Sequence, residues 1–134
     1  MAALTDAQDL LKYASDAHSI DQKLDGTGTE IQYGALLENS TTKGIPISGA
    51  GDFMGISKVN TDADTTGGVY DEITIDELSI AGTPLIGAKV YCATDNYDDL
   101  DTVSGTNTEV GKITRASLIA ANKYSVLFKS LARR

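Results

Sequence analysis

The chain contains no tryptophan, one cysteine and one histidine among its 134 residues. The single cysteine, Cys92, excludes an internal disulfide, and its place in the strand-like run 88–93 predicts a small buried side chain. The single histidine, His18, is remote in sequence, so no cysteine–histidine nucleophile pair is indicated, and we expect it to be solvated on the polar face of a helix. These shortages, with no metal-ligand spacing, argue against an enzyme and predict no cofactor.

Long apolar runs are also missing. No stretch approaches the roughly 20 residues that span a bilayer, and the first residues lack the basic and apolar regions of a secretion signal. We therefore expect neither a membrane span nor a signal peptide. The apolar fraction of 41% nevertheless suffices for one packed core, and 13 glycines among many Thr, Ser, Asn and Asp residues are typical of short strands joined by turns.

Charge is distributed unevenly along a chain whose net charge is −8. Residues 1–109 hold all 19 acidic residues and five of the 11 basic ones, and residues 110–134 hold the other six basic residues. The acidic body argues against nucleic acid as the main partner. The basic end either meets an acidic surface, its own or a partner's, or lies on a solvated strand edge, where lysine deters edge pairing.

The N-terminal residues have a helical pattern. Small and large apolar residues recur at helical spacing at Leu4, Ala7, Leu11 and Ala14. Thr5 and Gln8 match a capping box, so we predict a short helix over about residues 6–17. The glycines in residues 25–28 then predict a hinge, which divides the chain into an N-terminal arm (1–28) and a β-rich domain (29–134).

The residues after the arm have the sequence pattern of β-strands. Strand-like stretches separated by polar turns cover residues 31–37, 45–47, 53–59, 69–78, 85–93, 110–115 and 124–128. The clearest is 69–78, in which Val69, Asp71, Ile73 and Ile75 fall on one face. This density of strands predicts a mainly β fold, either a small barrel or a sandwich-like module.

Residues 52–58 and 108–114 form a weak internal repeat, since each has a hydrophobic residue followed by glycine and a strand. A glycine inside a strand marks a bulge or a close approach of another backbone. Bends at Gly55 and Gly111 would favour closure into a small barrel.

Acidic residues concentrate in two predicted loops. Residues 62–67 partly match the start of a calcium loop, but Thr66 stands where an Asp or Asn belongs and Ile73 stands where the bidentate Glu belongs. An ordinary turn is therefore the better interpretation. Residues 95–101 contain Asp95, Asp98, Asp99 and Asp101. We expect a solvated loop, and calcium binding or contact with a basic partner stay open.

Residues 33–127 resemble the capsid decoration, or cement, proteins of tailed-phage heads. The motifs that carry the resemblance are Phe53-Met54-Gly55-Ile56-Ser57-Lys58, the polar insert 60–68, Ile86-Gly87-Ala88-Lys89-Val90-Tyr91, Glu109-Val110-Gly111-Lys112-Ile113 and Tyr124-Ser125-Val126-Leu127-Phe128. The order and spacing of these motifs matter more than any one of them.

The resemblance implies a non-enzymatic β-barrel-like module, made in the host cytoplasm, on the outer surface of an icosahedral capsid. Such proteins commonly sit at local three-fold junctions, often as homotrimers, and clamp neighbouring copies of the major capsid protein. Neither nucleic acid nor membrane is then an expected partner. We hypothesise that the arm and the first strand make the capsid or inter-subunit contacts, through Leu4, Leu11, Ile31, Tyr33, Leu36 and Leu37.

Other functions stay open from the sequence. One is a different virion part, such as a head fibre base or a tail-tube component. Another is a surface carbohydrate-binding module that uses Tyr70, Tyr91 and Tyr97 as platforms. A small hydrolase is the least favoured, because no nucleophile and base are brought together by any motif.

Overall fold

The computed structural model describes residues 13–49 and 51–134, which are mainly β-strand. In chain order the strands are β1 (Ala14–Leu24), β2 (Leu36–Asn39), β3 (Gly44–Pro46), β4 (Phe53–Ser57), β5 (Thr65–Leu78), β6 (Lys89–Cys92), β7 (Thr108–Ala116) and β8 (Tyr124–Lys129). Short 3₁₀ helices occupy Tyr97–Asp99 and Leu131–Arg133. The predicted mainly β fold is therefore confirmed.

All eight strands belong to one sheet that closes on itself. Their order is β1-β3-β2-β4-β5-β8-β7-β6, and β1 pairs additionally with β5. The first five strands in that order therefore form a ring, in which only the β1–β3 pair, Leu24 with Gly44, is parallel. The long strand β5 carries β1 on one edge, and β4 followed by β8 on the other.

The second half of the chain repeats this closure. Strands β5, β8, β7 and β6 are antiparallel neighbours, and the residues after β6 turn back so that Asp101 pairs with Tyr91. Asp101 also makes a parallel bridge with Ala81, just beyond β5, as Gly44 does with Leu24. Two small rings therefore share β5.

The glycine motifs of the internal repeat occupy equivalent places in the two rings. Gly55 pairs with Leu37 and Gly111 pairs with Val90, and in both cases the next pair skips one residue of the glycine strand. A β-carbon added at Gly55 would lie 2.3 Å from the carbonyl oxygen of Tyr70, and one at Gly111 would lie 2.0 Å from that of Leu127. Both glycines thus combine a bulge with a close backbone approach, as the sequence predicted.

The turns that lead into the two glycine-paired strands are also alike. Gly34 and Gly87 have φ values of 84° and 89°, in the left-handed region that glycine adopts without strain. The Gly34 amide donates to the Ser57 carbonyl at 2.9 Å, and the Gly87 amide donates to the Ile113 carbonyl at 2.8 Å. The two halves of the chain therefore share one local architecture.

The described residues form two buried apolar clusters. The smaller lies in the first ring and consists of Leu24, Ile31, Ala35, Leu37, Met54 and Val69. The larger joins the two halves: the ring of Phe128 lies 6.3 Å from that of Phe53 and 6.1 Å, edge-on, from that of Tyr97. The inward face of β5 is buried as its alternation predicted, at Val69, Asp71, Ile73 and Ile75.

The predicted helix over residues 6–17 is wrong from residue 14 onward, because residues 14–17 begin β1, whereas Tyr13 is helical. Pairing with β5 from Ile75 to Thr65 overrides the helical spacing, and β1 is irregular around Asp16, whose φ is 53°. Residues 6–12 lie outside the described residues. The boundary at residue 28 stays a prediction, although β1 on its N-terminal side is hydrogen-bonded into the same sheet as the rest.

A second correction concerns the predicted strand 85–93, since β6 begins only at Lys89. Residues 85–88 form a turn in which the Ala88 amide donates to the Leu85 carbonyl at 2.9 Å. Among the described residues, no helix is both long and apolar enough to cross a bilayer.

Candidate functional site

The residues predicted to make intermolecular contacts lie in the core where they are described. Ile31, Leu36 and Leu37 are at most 1% exposed, and Tyr33 is 9% exposed. Their side chains pack inside this chain, because β2 is covered on both faces, and they present no surface to a partner. Leu4 and Leu11 lie outside the described residues.

The basic C-terminal end meets the chain's own acidic residues. Arg115 lies 3.2 Å from Asp76, and Arg133 lies 3.3 Å from Glu72. The guanidinium of Arg134 donates to the carboxylate of Glu109 at 2.9 Å and to the main-chain carbonyls of Glu109 and Lys129. Of the two sequence interpretations, pairing with the chain's own acidic surface therefore describes these arginines.

Asp64, one of the two acidic residues of loop 62–67, takes part in a surface ion-pair cluster. Lys43 lies 2.7 Å from Asp25 and 3.4 Å from Asp64, and Lys23 lies 3.7 Å from Asp64. The hydrogen bond from Lys43 holds the pKa of Asp25 below its ordinary value. Within residues 13–49 and 51–134, no three His, Cys, Asp or Glu side chains gather at a site for a metal ion.

The second acidic loop, 95–101, is anchored by its apolar residues. Tyr97 and Leu100 are buried, and the hydroxyl of Tyr97 donates to the Gly34 carbonyl at 2.8 Å. Asn96 caps the short 3₁₀ helix by accepting from the Asp98 amide at 2.9 Å. Because Tyr97 is 2% exposed, it cannot serve as a sugar platform, and Tyr70 packs against the core with the Lys58 ammonium 5.6 Å from its ring centroid.

The two side chains weighed for nucleophilic chemistry have structural partners. Cys92 is fully buried, as predicted, and burial raises its pKa to about 11. His18 is half-exposed but belongs to β1 rather than to a helix, and its Nδ1 lies 2.6 Å from the buried Asp71 carboxylate. The prediction that His18 is merely solvated is therefore wrong: it links β1 to β5.

Large apolar side chains are exposed at one end of the β6–β7–β8 sheet. Leu85 and Ile86 are 65% and 72% exposed, and Leu118 and Ile119 are 91% and 86% exposed. The turn 85–88 lies beside the C-terminal end of β7, because the Gly87 amide bonds to Ile113, and Leu118 follows that end in the β7–β8 hairpin. We call Leu85, Ile86, Leu118 and Ile119 the apolar end.

Hydrogen bonds hold the hairpin tip of the apolar end in place. The hydroxyl of Ser117 accepts from the amides of Ile119 and Ala120 at 3.0 and 3.1 Å, and it donates to the Glu77 carboxylate at 2.6 Å. The amide of Ser117 donates to the Lys123 carbonyl at 2.8 Å. Leu118 and Ile119 are therefore presented to solvent side by side on an ordered turn, and contiguous exposed apolar surface is a feature of interaction sites.

Comparison with protein-family models, with curated proteins and with solved structures finds no match to this chain. The residue-level geometry is therefore the main support for a functional assignment, beside the resemblance of the motifs.

Reasoning from the sequence missed the apolar end. The signal was present, since Leu118 and Ile119 form an apolar pair between two predicted strands, where turns are normally polar. Leu85 and Ile86 were hidden because an apolar run ahead of Lys89 is equally consistent with the start of a strand.

Proposed function

We propose that this chain is a non-enzymatic structural protein that binds the outer surface of a phage capsid, as a homotrimer, and stabilises the shell by bridging copies of the major capsid protein. The apolar end is the observation that carries the proposal. It replaces the buried residues Ile31, Tyr33, Leu36 and Leu37 as the contact surface, and the motifs that resemble capsid decoration proteins support the choice of partner.

The physical requirements of this role agree with the fold. A protein that clamps a shell needs a rigid body and a complementary patch more than a reactive site, because each of many symmetric contacts can be weak. The two rings share β5 and the larger of the two apolar clusters, which gives such a body. The ordered tip at Ser117 then holds the patch in a fixed orientation.

The proposal predicts the effect of changing the patch. Burying Leu118 and Ile119 against a partner would contribute about 1.5–3 kcal/mol each, so the double variant Leu118→Ser, Ile119→Ser should bind capsids about 100-fold or more weakly. Because both side chains are almost wholly exposed, the variant should fold normally by circular dichroism. Sedimentation of capsids that lack this chain, with the protein added back, measures the bound copies.

The matched control is Val103→Ser, which removes an apolar side chain that is 61% exposed but is not part of the apolar end. It should bind like the unmodified protein. If the double variant bound capsids in the same copy number as the unmodified protein, the apolar end would not be the surface that contacts the capsid. Absence of binding by the unmodified protein to any capsid of the encoding virus would remove the capsid role itself.

A further inference from the structure

A shallow groove of about 300 Å³ crosses the solvent face of the β6–β7–β8 sheet. Its floor is formed by Gly87, Gly111 and the half-buried Leu127. Its remaining lining is charged and consists of Lys89, Lys112, Lys129, Arg134 and Glu109. Four of the chain's 11 basic residues therefore line one groove on a protein whose net charge is −8.

The acidic residue of the groove, Glu109, is already paired with a basic residue of the same groove. Arg134 bonds to the carboxylate of Glu109 at 2.9 Å, so that its own charge is committed. Lys112 is exposed and has no acidic partner within 4.0 Å among the described residues. Lys89 is 65% exposed, with its ammonium 3.6 Å from Glu109. The groove therefore keeps net positive charge, because Lys89 shares Glu109 with Arg134 and Lys112 has no acidic partner among the described residues.

The internal repeat shows that the same face is an interface in the first half of the chain. Because the Leu37–Gly55 pair corresponds to Val90–Gly111, Leu36 and Ile56 correspond to Lys89 and Lys112. Leu36 and Ile56 are fully buried in the cluster that joins the two halves. The second half thus leaves open a face that the first half covers, and it carries lysines where the first carries aliphatic residues.

We propose that this groove binds an extended acidic segment of a partner polypeptide. Carboxylates of the segment pair with the ammonium groups of Lys89 and Lys112, and its main chain lies along the floor of the groove. The choice of an acidic occupant rests on charge complementarity with a groove whose lysines are solvated and partly free. The inference does not depend on the identity of the partner, and hence not on the capsid role.

The test uses the free protein and a fluorescently labelled ten-residue glutamate peptide, with anisotropy measured at low ionic strength. We expect saturable binding that Lys89→Ala, Lys112→Ala weakens about fivefold to tenfold, because two exposed ion pairs are lost. The control Lys23→Ala, Lys123→Ala removes the same charge outside the groove and should leave the affinity unchanged. Both pairs of lysines are on the surface, so unfolding by heat verifies that each variant is folded.

Several results would overturn the assignment. They are a failure of the unmodified protein to bind the peptide, and an equal loss of affinity in the two double variants. Equal affinity for a single-stranded oligonucleotide of the same length would also overturn it, because a groove that accepts any polyanion does not select a peptide. Since no capsid is present in this experiment, its failure leaves the capsid proposal standing.

Discussion

The close approach of β7 and β8 at Gly111 predicts that even a methyl group there is costly. The β-carbon of alanine at position 111 would lie 2.0 Å from the Leu127 carbonyl oxygen, whereas an ordinary contact begins at 3.4 Å. Strands β7 and β8 must move apart until this contact reaches an ordinary distance, and this movement weakens the hydrogen-bonded ladder that pairs Gly111 with Phe128. Overpacking costs about 1–3 kcal/mol and a lost hydrogen bond about 1 kcal/mol, so Gly111→Ala should lower the free energy of unfolding by about 2–4 kcal/mol.

Gly87→Ala is the matched control, because it introduces the same methyl group without a clash. Apart from its two chain neighbours, no described residue has an atom within 4 Å of a β-carbon built at Gly87, so only the φ of 89° is unfavourable for alanine, at about 1–2 kcal/mol. Urea unfolding followed by circular dichroism measures both variants. A Gly111→Ala cost within about 0.5 kcal/mol of zero, or one below that of Gly87→Ala, would refute the argument from close approach.

Three further predictions concern other parts of the fold. Removing residues 1–25 should destabilise the protein, because it deletes β1 and the fully buried Leu24, whose loss alone costs about 2–5 kcal/mol. An unchanged midpoint of thermal unfolding would contradict this and would indicate that the arm is independent of the rest of the fold. Cys92 should resist alkylation at pH 8 until the protein unfolds, because it is buried and its pKa is raised to about 11, and rapid labelling of the native state would refute its burial. Burial raises the pKa of Tyr97 well above its ordinary value, so the folded state keeps a proton that the unfolded state loses at about pH 10. The free energy of unfolding should therefore fall as the pH rises beyond that value. Urea titrations at pH 9–11 should show a shallower fall for Tyr97→Phe.

Much of the sheet was predictable from the sequence because apolar alternation and turn residues act locally. The inward face of β5 and the bulges at Gly55 and Gly111 followed from such signals. The repeat was visible only in part, since the pairs Gly34-Ala35 and Gly87-Ala88, which complete it, are separated from those glycines by loops of different length.

The structural features that could not be predicted from the sequence depend on contacts between segments that are distant along the chain. The exposed residues of β1 form a strand only because β5 lies beside them, and the buried Asp71 contacts His18, 53 positions away in the sequence. The apolar end likewise arises because a turn and a hairpin tip, distant in sequence, reach the same end of one sheet. No local pattern encodes that juxtaposition.

The location of this chain on virus particles tests the proposed role most directly. Purified particles of the encoding virus should be labelled with gold-tagged antibody against the chain, and its copy number should be measured by gel densitometry on the same particles. The capsid role predicts label spread evenly over the head, in many copies per particle. Label confined to the tail or to one vertex, or no label at all, would contradict it.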